Sequence, residues 1–533
     1  MNLVFNKSTL KVISIFDNNI WADDISVLKS MFPVDFQKLS IWSIKLDVHY
    51  PIPHLRITLD SDGDPNELFF KDKSVYKISK EDKEKSLVKF SEQKRELLEK
   101  SLSRSLIRSL TNDMIKLWLT SPRTDPYIKK SLQNLDYFIE KPAVPISWWG
   151  PFTDAGGYAN MNREILFRLH NHHIIAKAEI CPTAPQISQI NRFYISKYNS
   201  IDLSRLRKYT KIWSFTPIPH PLHSGRNIFF TMMETETLHP EFVRICNTCA
   251  NEVWVPSSHN KRVFEESGVR KPIFTMPLGI DELLYNDSAM GELGVVDKTG
   301  FVDLLGKPFA KGVNSFKFLS LFGWSYRKGI DVLIKSFVEQ FKAEDDVALI
   351  IISRHSGSPA QDHVNVIKAD VERFAYPIRR NNFPQILLFP HVIPEQDMPS
   401  FYRMGNAFIH LSRGEGFSLP QIEAAACGLP VISCNNTGMS EYLRDDNSFM
   451  VETDEKEICN QEMHWITSYY HNQLFPKLGR NQIDQAKRHM IYVVNNYKKA
   501  ILKGSILRKD VFDKYTWKIA ANRVAQRIQE ISR

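Results

Sequence analysis

The stretch AFIHLSRGEGFSLPQIEAAACGLPVIS, residues 407–433, decides how this chain is read. AFIHLS is an apolar run with β-branched and aromatic members, and it predicts a buried strand ending at Ser412. The loop RGEGFS follows, with two glycines that let the backbone approach a ligand closely. Pro420 suits the first position of a helix, where a missing N–H costs nothing. QIEAAAC makes that helix short, Gly428 is placed to cap it, and Pro430 forbids its continuation before VIS opens another strand. A glycine loop thus feeds a helix N-terminus at the carboxyl end of a strand. In a parallel sheet that is where ligands bind, and free N–H groups there favour phosphate. Glu415 lies in the loop, and Glu423 is expected in the first turn of the helix. A carboxylate near a helix N-terminus is favoured by the dipole alone. Both could also accept hydrogen bonds from sugar or ribose hydroxyls.

Outward from this stretch the chain alternates strand and helix. FKFLSLFG (316–323), VALIIIS (347–353), QILLFP (385–390) and PVISC (430–434) read as buried strands, with IDVLIKSFVEQF (330–341) as a helix. An earlier series starts with VPISWW (144–149), the loop GPFTDAGGYA, and a helix that puts Met161, Ile165 and Leu169 on one face. RNIFFTM (226–232) and EVWVPS (252–257) continue it, and PIFTMPLGID (272–281) closes it. Two such series predict an α/β protein with two doubly wound, Rossmann-like domains. Residues 282–315 read as a connection with some local structure, and 513–532 as one last amphipathic helix. Residues 1–140 form an additional N-terminal α/β region. It has strand-like runs KVISIF (11–16) and LRITL (55–59), and a helical stripe from Leu98 to Leu117. SPRTDP (121–126) then breaks the pattern. The expected division is therefore 1–140, 141–300, 301–510 and 511–533, the last packing back on the first Rossmann-like domain.

Composition bounds the function. With 43% hydrophobic and 24% charged residues in 533, the chain has ample material for several cores, which excludes disorder as its main state. No run approaches the ~18 apolar residues of a spanning helix. Six cysteines are too few for a disulfide scaffold and fit a reducing compartment. A net charge of +9 suits an anionic ligand or membrane surface and does not by itself argue for nucleic acid.

With these segments in order, the chain resembles the retaining glycosyltransferases of family 4, over about 390 residues. EGFSLPQIE, with Glu415 and Glu423, is similar to their E-x7-E signature. FGWSYRKGIDVLIKSF (322–337) resembles the R-K-G-x-D-x-L segment, and NNTGMSEYL (435–443) the family's glycine loop. The resemblance implies a GT-B fold, two Rossmann-like domains facing a cleft. It also implies transfer of a sugar from a UDP- or GDP-sugar to a glycan, lipid-linked or protein acceptor, with no metal and no further cofactor. Glu423 would hold the ribose, and Glu415, Gly416, Phe417 and Ser418 the sugar. N–H groups near Ser418 and Leu419 would meet the distal phosphate, and Arg327 and Lys328 would neutralise the pyrophosphate as the glycosidic bond breaks. Gly156 and Gly157 would face the cleft near the donor phosphates or the acceptor. Attack would come on the front face, with the donor's own phosphate taking the acceptor proton.

There are departures. Trp324 stands where many relatives carry a phosphate-binding arginine, Ser418 replaces a glycine, and Asn406 replaces a frequent aspartate. The family's histidine falls at Met232 or Met233, next to Glu234. Glu234 could act in the cleft or pair on a surface loop. Paired carboxylates also fit a glycan hydrolase, and the departures fit a non-catalytic binding or assembly subunit. Cys246 and Cys249 lack the further ligands of a zinc site, and Asp60-Ser61-Asp62 reads as a polar turn. Basic residues beside the Leu98–Leu117 stripe admit peripheral contact with the inner face of a membrane, in an otherwise cytoplasmic protein.

Overall fold

The computed structural model describes, before Val144, the strands β1 (Asn2–Asn6), β2 (Lys11–Phe16), β3 (Lys45–Leu46), β4 (Leu55–Leu59), β5 (Pro65–Phe70), β6 (Lys73–Lys77) and β7 (Leu87–Val88). From Val144 on it describes the chain except 155, 170, 171, 173, 182–194, 196, 197, 200, 202, 204, 205, 207, 218–224, 283, 286–299, 306–315, 355–359, 394–396, 459–468 and 533. The helical stripe Leu98–Leu117, Asp60 to Asp62, His220 and His223 lie outside the described residues. The chain divides into two compact units, Met1–Lys141 and Pro142–Arg533. In the first, strands order as β2-β1-β3-β7 and β4-β5-β6. KVISIF and LRITL are both strands, as their patterns predict.

The second unit holds two sheets. The first contains β8 (Val144–Gly150), β9 (Ile174–Ile180), β10 (Thr210–Ser214), β11 (Asn227–Phe230), β12 (Glu252–Val255) and β13 (Ile273–Thr275). Its order is β13-β12-β11-β10-β8-β9, and every pairing is parallel. The inner strands β11 and β12 are continuously buried, as expected where helices cover both faces, while β9 at the edge alternates. Helix α1 (Gly157–Leu169) follows β8 and buries Met161, Ile165 and Leu169. Further on come α2 (Pro240–Cys249) and α3 (Ser258–Glu266).

The second sheet contains β14 (Val302–Asp303), β15 (Phe316–Gly323), β16 (Val347–Arg354), β17 (Gln385–Phe389), β18 (Ala407–His410), β19 (Val431–Asn435) and β20 (Phe449–Glu452). The order is β14-β17-β16-β15-β18-β19-β20. All pairs are parallel except β14, which lies antiparallel on β17. The segment read as a connection therefore contributes an edge strand, too short to show a periodicity. Helices α4 (Ile330–Gln340), α5 (Ala360–Ala375), α6 (Met398–Arg403) and α7 (Leu419–Ala426) cover this sheet. The hairpin β21 (Lys456–Ile458) with β22 (Leu474–Pro476), then α8 (Arg480–Asn495), α9 (Tyr497–Lys514) and α10 (Trp517–Ile531), complete the chain. These are two Rossmann-like sheets.

The last helix starts at Trp517, with the Thr516 hydroxyl accepting from Ile519 N–H, and not at 513. Helix α10 returns to the first sheet. Trp517 N–H donates to Ile280 O at 2.9 Å, and Arg527 pairs with the buried Glu252 at 2.8 Å.

Candidate active site

Each sheet reverses its strand order once, and there the loops at the carboxyl ends separate and leave a crevice. In the first sheet the reversal lies between β8 and β10, and the loop after β8 carries Gly156 and Gly157. In the second it lies between β15 and β18. The turn after β15 carries Arg327 and Lys328, and the loop after β18 carries Glu415. Topology alone therefore brings together residues 87 apart in sequence.

The turn is a 3-10 segment, Tyr326–Lys328, ended by Gly329 at φ 64. It is fixed to the β18 loop by backbone bonds. Arg413 N–H donates to Arg327 O at 2.8 Å, and the Ser412 hydroxyl to the same oxygen at 3.2 Å. Buried Arg413 forks onto Asp331 of α4 at 2.8 and 3.0 Å and stacks 3.7 Å from the Tyr326 ring. The β18 strand itself ends at His410, two residues earlier than its apolar run predicts, because 411–413 turn to make these bonds.

Glu415 sits at the centre. Its Oε1 accepts from Lys328 Nζ at 2.6 Å and is 3.0 Å from His410 Nε2, and its Oε2 is 3.3 Å from Arg327 Nη1. Its own N–H donates to Thr437 Oγ1 at 2.9 Å. Burial would raise the carboxyl, but Lys328 and Arg327 outweigh it and hold Glu415 well below the usual carboxylate range. Burial and the neighbouring Arg327 charge push the Lys328 ammonium below the usual lysine range, and Glu415 only partly offsets them. Burial likewise keeps His410 low, hence neutral near pH 7.

Glu234 reaches this cluster from the first sheet. It is 3.6 Å from Arg327 Nη2 and accepts from the Tyr470 hydroxyl. Arg327 donates to Gly414 O. A Cβ on Gly414 would collide with Glu234 O, so the loops of the two sheets touch through backbone there. Of the two alternatives for Glu234, the structure places it between the sheets. Met232 lies against Gly416, while Met233 is buried and exchanges two hydrogen bonds with the Asn260 side chain.

Helix α7 begins at Leu419, so Pro420 is its second residue and Glu423 its fifth, past the first turn. Glu423 accepts from the buried Tyr402 hydroxyl at 2.7 Å. Gly428 at φ 81 closes the helix, its N–H donating to Ala425 O and that of Leu429 to Ala424 O. Ser418 has φ 72 and a buried hydroxyl with no partner. Phe417 is buried against Tyr442 and Tyr515, so only its backbone faces the loop's partners. Leu419 approaches Gly157, and Gly156 N–H donates to Asp154.

Two departures have structural reasons. Trp324 is buried beside Phe322 and donates to Asp370 on α5 at 2.9 Å. It makes no contact with Glu415, where among the described residues Arg327 supplies the guanidinium. Asn406 clasps β15 from both sides: its N–H donates to Lys317 O at 2.7 Å, and its Oδ1 accepts from Lys317 N–H at 2.8 Å. An amide or carboxylate oxygen serves that clasp equally.

His410, Thr437, Tyr402 and Tyr470 had no pattern pointing to them as site residues. Thr437 falls within the segment resembling a glycine loop. His410 sat inside a strand run, and Tyr470 is 236 residues from Glu234. His239 caps α2, accepting from Glu241 N–H, and Cys246 and Cys249 lie on α2 with no metal-ligand group among the described residues.

Residues 315–467 match the family described as glycosyl transferases group 1. The O-antigen chain mannosyltransferase B of Escherichia coli is 40% identical over 53 residues, 10% of this chain and 14% of that protein. The lipopolysaccharide core biosynthesis mannosyltransferase LpsB of Rhizobium meliloti is 30% identical over 148 residues, 28% of this chain and 38% of that one. The matched stretch thus spans well under half of these relatives. The Anabaena protein Alr3699/HepE, solved in complex with UDP-glucose, superposes with a TM-score of 0.50 at 14% identity, over 72% of this chain and 99% of that one. At such identity the likeness is one of fold, and the fold is GT-B.

Proposed function

We propose that this protein is a retaining glycosyltransferase that moves a sugar from a UDP- or GDP-sugar to a glycan, lipid-linked or protein acceptor. The observation that carries the reading is the half-buried pair Arg327 and Lys328, held against the buried Glu415 where the second sheet reverses its order. Lys328 is under-compensated by Glu415, so a diphosphate would supply the anion it lacks. The N-terminus of α7 and the unpartnered Ser418 hydroxyl add donors suited to the same ligand.

As the bond from the anomeric carbon to phosphate breaks, negative charge grows on the leaving oxygen. Arg327 and Lys328 would meet that charge where water is excluded, which is worth more than in solution. No metal is required on this reading. Glu415 would turn from Lys328 toward the sugar hydroxyls, and Glu423, steadied by Tyr402, would take the ribose. Glu234 would set the Arg327 guanidinium from the opposite sheet. The donor phosphate would take the acceptor proton during front-face attack, so the product keeps the donor's anomeric configuration. The free cysteines among the described residues fit a reducing, cytoplasmic setting.

The test is incubation with UDP-, GDP- and ADP-sugars, reading nucleotide release and, for any sugar product, anomeric configuration by NMR. Release with one donor class and retained configuration supports the proposal. No release and no thermal shift with any donor would sink it, and an inverted product would remove the retaining mechanism.

A further inference from the structure

We propose that the outer face of α9, with the end of α8 beside it, docks on an anionic lipid surface. The inner face of α9 is satisfied: Ala500, Gly504, Leu507 and Val511 are buried, and Arg508 donates to Ala426 O of α7 at 3.0 Å. Its outer face sets exposed apolar side chains among exposed Lys498, Lys499, Ser505, Lys509 and Asp513. Leu502 is 67% exposed, Ile506 42% and Ile501 40%, and Tyr492 of α8 is 42% exposed. Leu502 and Ile506 neighbour each other one helical turn apart, and the Phe449 ring links Tyr492 of α8 to Lys503 of α9. Tyr492 packs 5.7 Å from it, and Lys503 Nζ lies 4.6 Å over it.

Charge says what covers this patch. From Gln485 to Lys509 there are seven lysines and arginines and no acidic residue. Lys487 is engaged with Glu339, Arg508 with α7 and Lys509 with Asp513. Arg488, Lys498 and Lys499 are exposed. Arg488 lies one turn before Tyr492, and Lys498 and Lys499 flank Leu502 at helical spacing. The acids nearby are Asp445 and Asp446, which face Lys503, Asp510, which pairs with Arg444, and the exposed Asp513, which pairs with Lys509. Asp510 and Asp513 lie at the C-terminal end of α9, which leaves the Lys498–Lys499 end basic. Exposed leucine and isoleucine ringed by lysine is the pattern of a helix lying in a lipid interface, with apolar side chains among the acyl chains and ammonium groups at the phosphates. A protein partner would need matching acidic residues and a fixed shape, whereas an anionic bilayer needs only these two properties. The inference is independent of the chemistry proposed above and does not involve the donor site.

The experiment is sedimentation of the full chain with vesicles of phosphatidylcholine alone, and of phosphatidylcholine mixed with phosphatidylglycerol, at low and high salt. Binding is expected to the mixed vesicles only, and to weaken with salt. Each lysine near an anionic surface favours binding by about fivefold, so Lys498→Glu with Lys499→Glu should weaken it at least about tenfold. Leu502→Glu with Ile506→Glu should abolish it. These side chains are exposed, so the far-ultraviolet spectrum and any donor hydrolysis in free solution should match the unsubstituted protein. Equal binding to both vesicles, or unchanged binding of the substituted proteins, overturns the proposal. So does a dimer in light scattering that Leu502→Glu dissolves, since the face would then belong to a second copy.

Discussion

At the scale of single residues the cleft is an exercise in charge balance. Two half-buried cations, Arg327 and Lys328, share the buried Glu415, and Arg327 also pairs with Glu234. Removing the Glu415 charge leaves both cations short of a partner; breaking a fully buried pair typically costs about 3–5 kcal/mol, and the partial exposure of the two cations sets the cost below that. The pH dependence follows from the depressed carboxyl. The unfolded chain binds a proton near the ordinary value of 4.5, which folded Glu415 refuses. Its stabilisation is therefore complete above that value and is lost as pH falls toward the lower folded one. Glu415→Gln should lower the melting temperature most above about pH 5 and progressively less in acid. A difference from the unsubstituted protein that is the same at pH 3 and pH 7 would show that Glu415 is not held ionised by its neighbours. Glu423 calls for a different outcome. It accepts from Tyr402 and, on our proposal, holds the ribose, so Glu423→Ala should keep the fold and raise the donor KM. Each lost charge-assisted bond is worth about 1.5–3 kcal/mol. Near-normal donor saturation in that variant would remove the ribose role.

At the scale of elements, the site depends on how a three-residue turn is held against a loop. Gly329 has φ 64, and a Cβ there would run into the Leu411 carbonyl. Gly329→Ala should therefore do more than the about 1 kcal/mol that a left-handed alanine costs. It should push the Tyr326–Lys328 turn off the β18 loop and lower both stability and donor affinity. A variant with normal donor titration would mean that the turn tolerates displacement and that Arg327 and Lys328 reach the donor by another route. Helix α7 shows the limit of reading elements from residue preferences. Pro420 fits either of the first two helical positions, and the helix starts one residue before it. That shift moves Glu423 out of the first turn, so its carboxylate owes less to the helix dipole and more to Tyr402.

At the scale of the whole molecule, the division at Lys141 and the complete sheets of the second unit support a separable donor-binding part. We expect a chain beginning near Pro142 to stay folded and to bind the nucleotide sugar unchanged in a calorimetric titration. Folded protein without binding would assign residues 1–141 to the donor site. We also expect transfer to persist in EDTA, because Arg327, Lys328 and the α7 N-terminus supply the positive charge. Loss of activity restored by magnesium or manganese would overturn that reading.

By itself the sequence determined the alternation of strand and helix, the strands β8, β11 and β12 of the first sheet and β15 to β19 of the second, and the segments that carry Arg327, Lys328, Glu415 and Glu423; it did not mark β9, β10 or β20. Those signals are local: apolar runs, glycine and proline placement, and motif spacing. It left open whether Glu234 pairs on the surface or in the cleft. It gave no sign of His410 or Tyr470 as neighbours of the acids, and it read 282–315 as a connection with some local structure without marking the edge strand β14. These features depend on strand order, which brings the ends of β15 and β18 together, and on the backbone contact of Gly414 with Glu234 across the two sheets. Such contacts join residues tens to hundreds apart, and no local periodicity records them. The exposed leucine and isoleucines of α9 are a similar case. Their pattern reads as an ordinary amphipathic helix until packing shows which face α7 has taken.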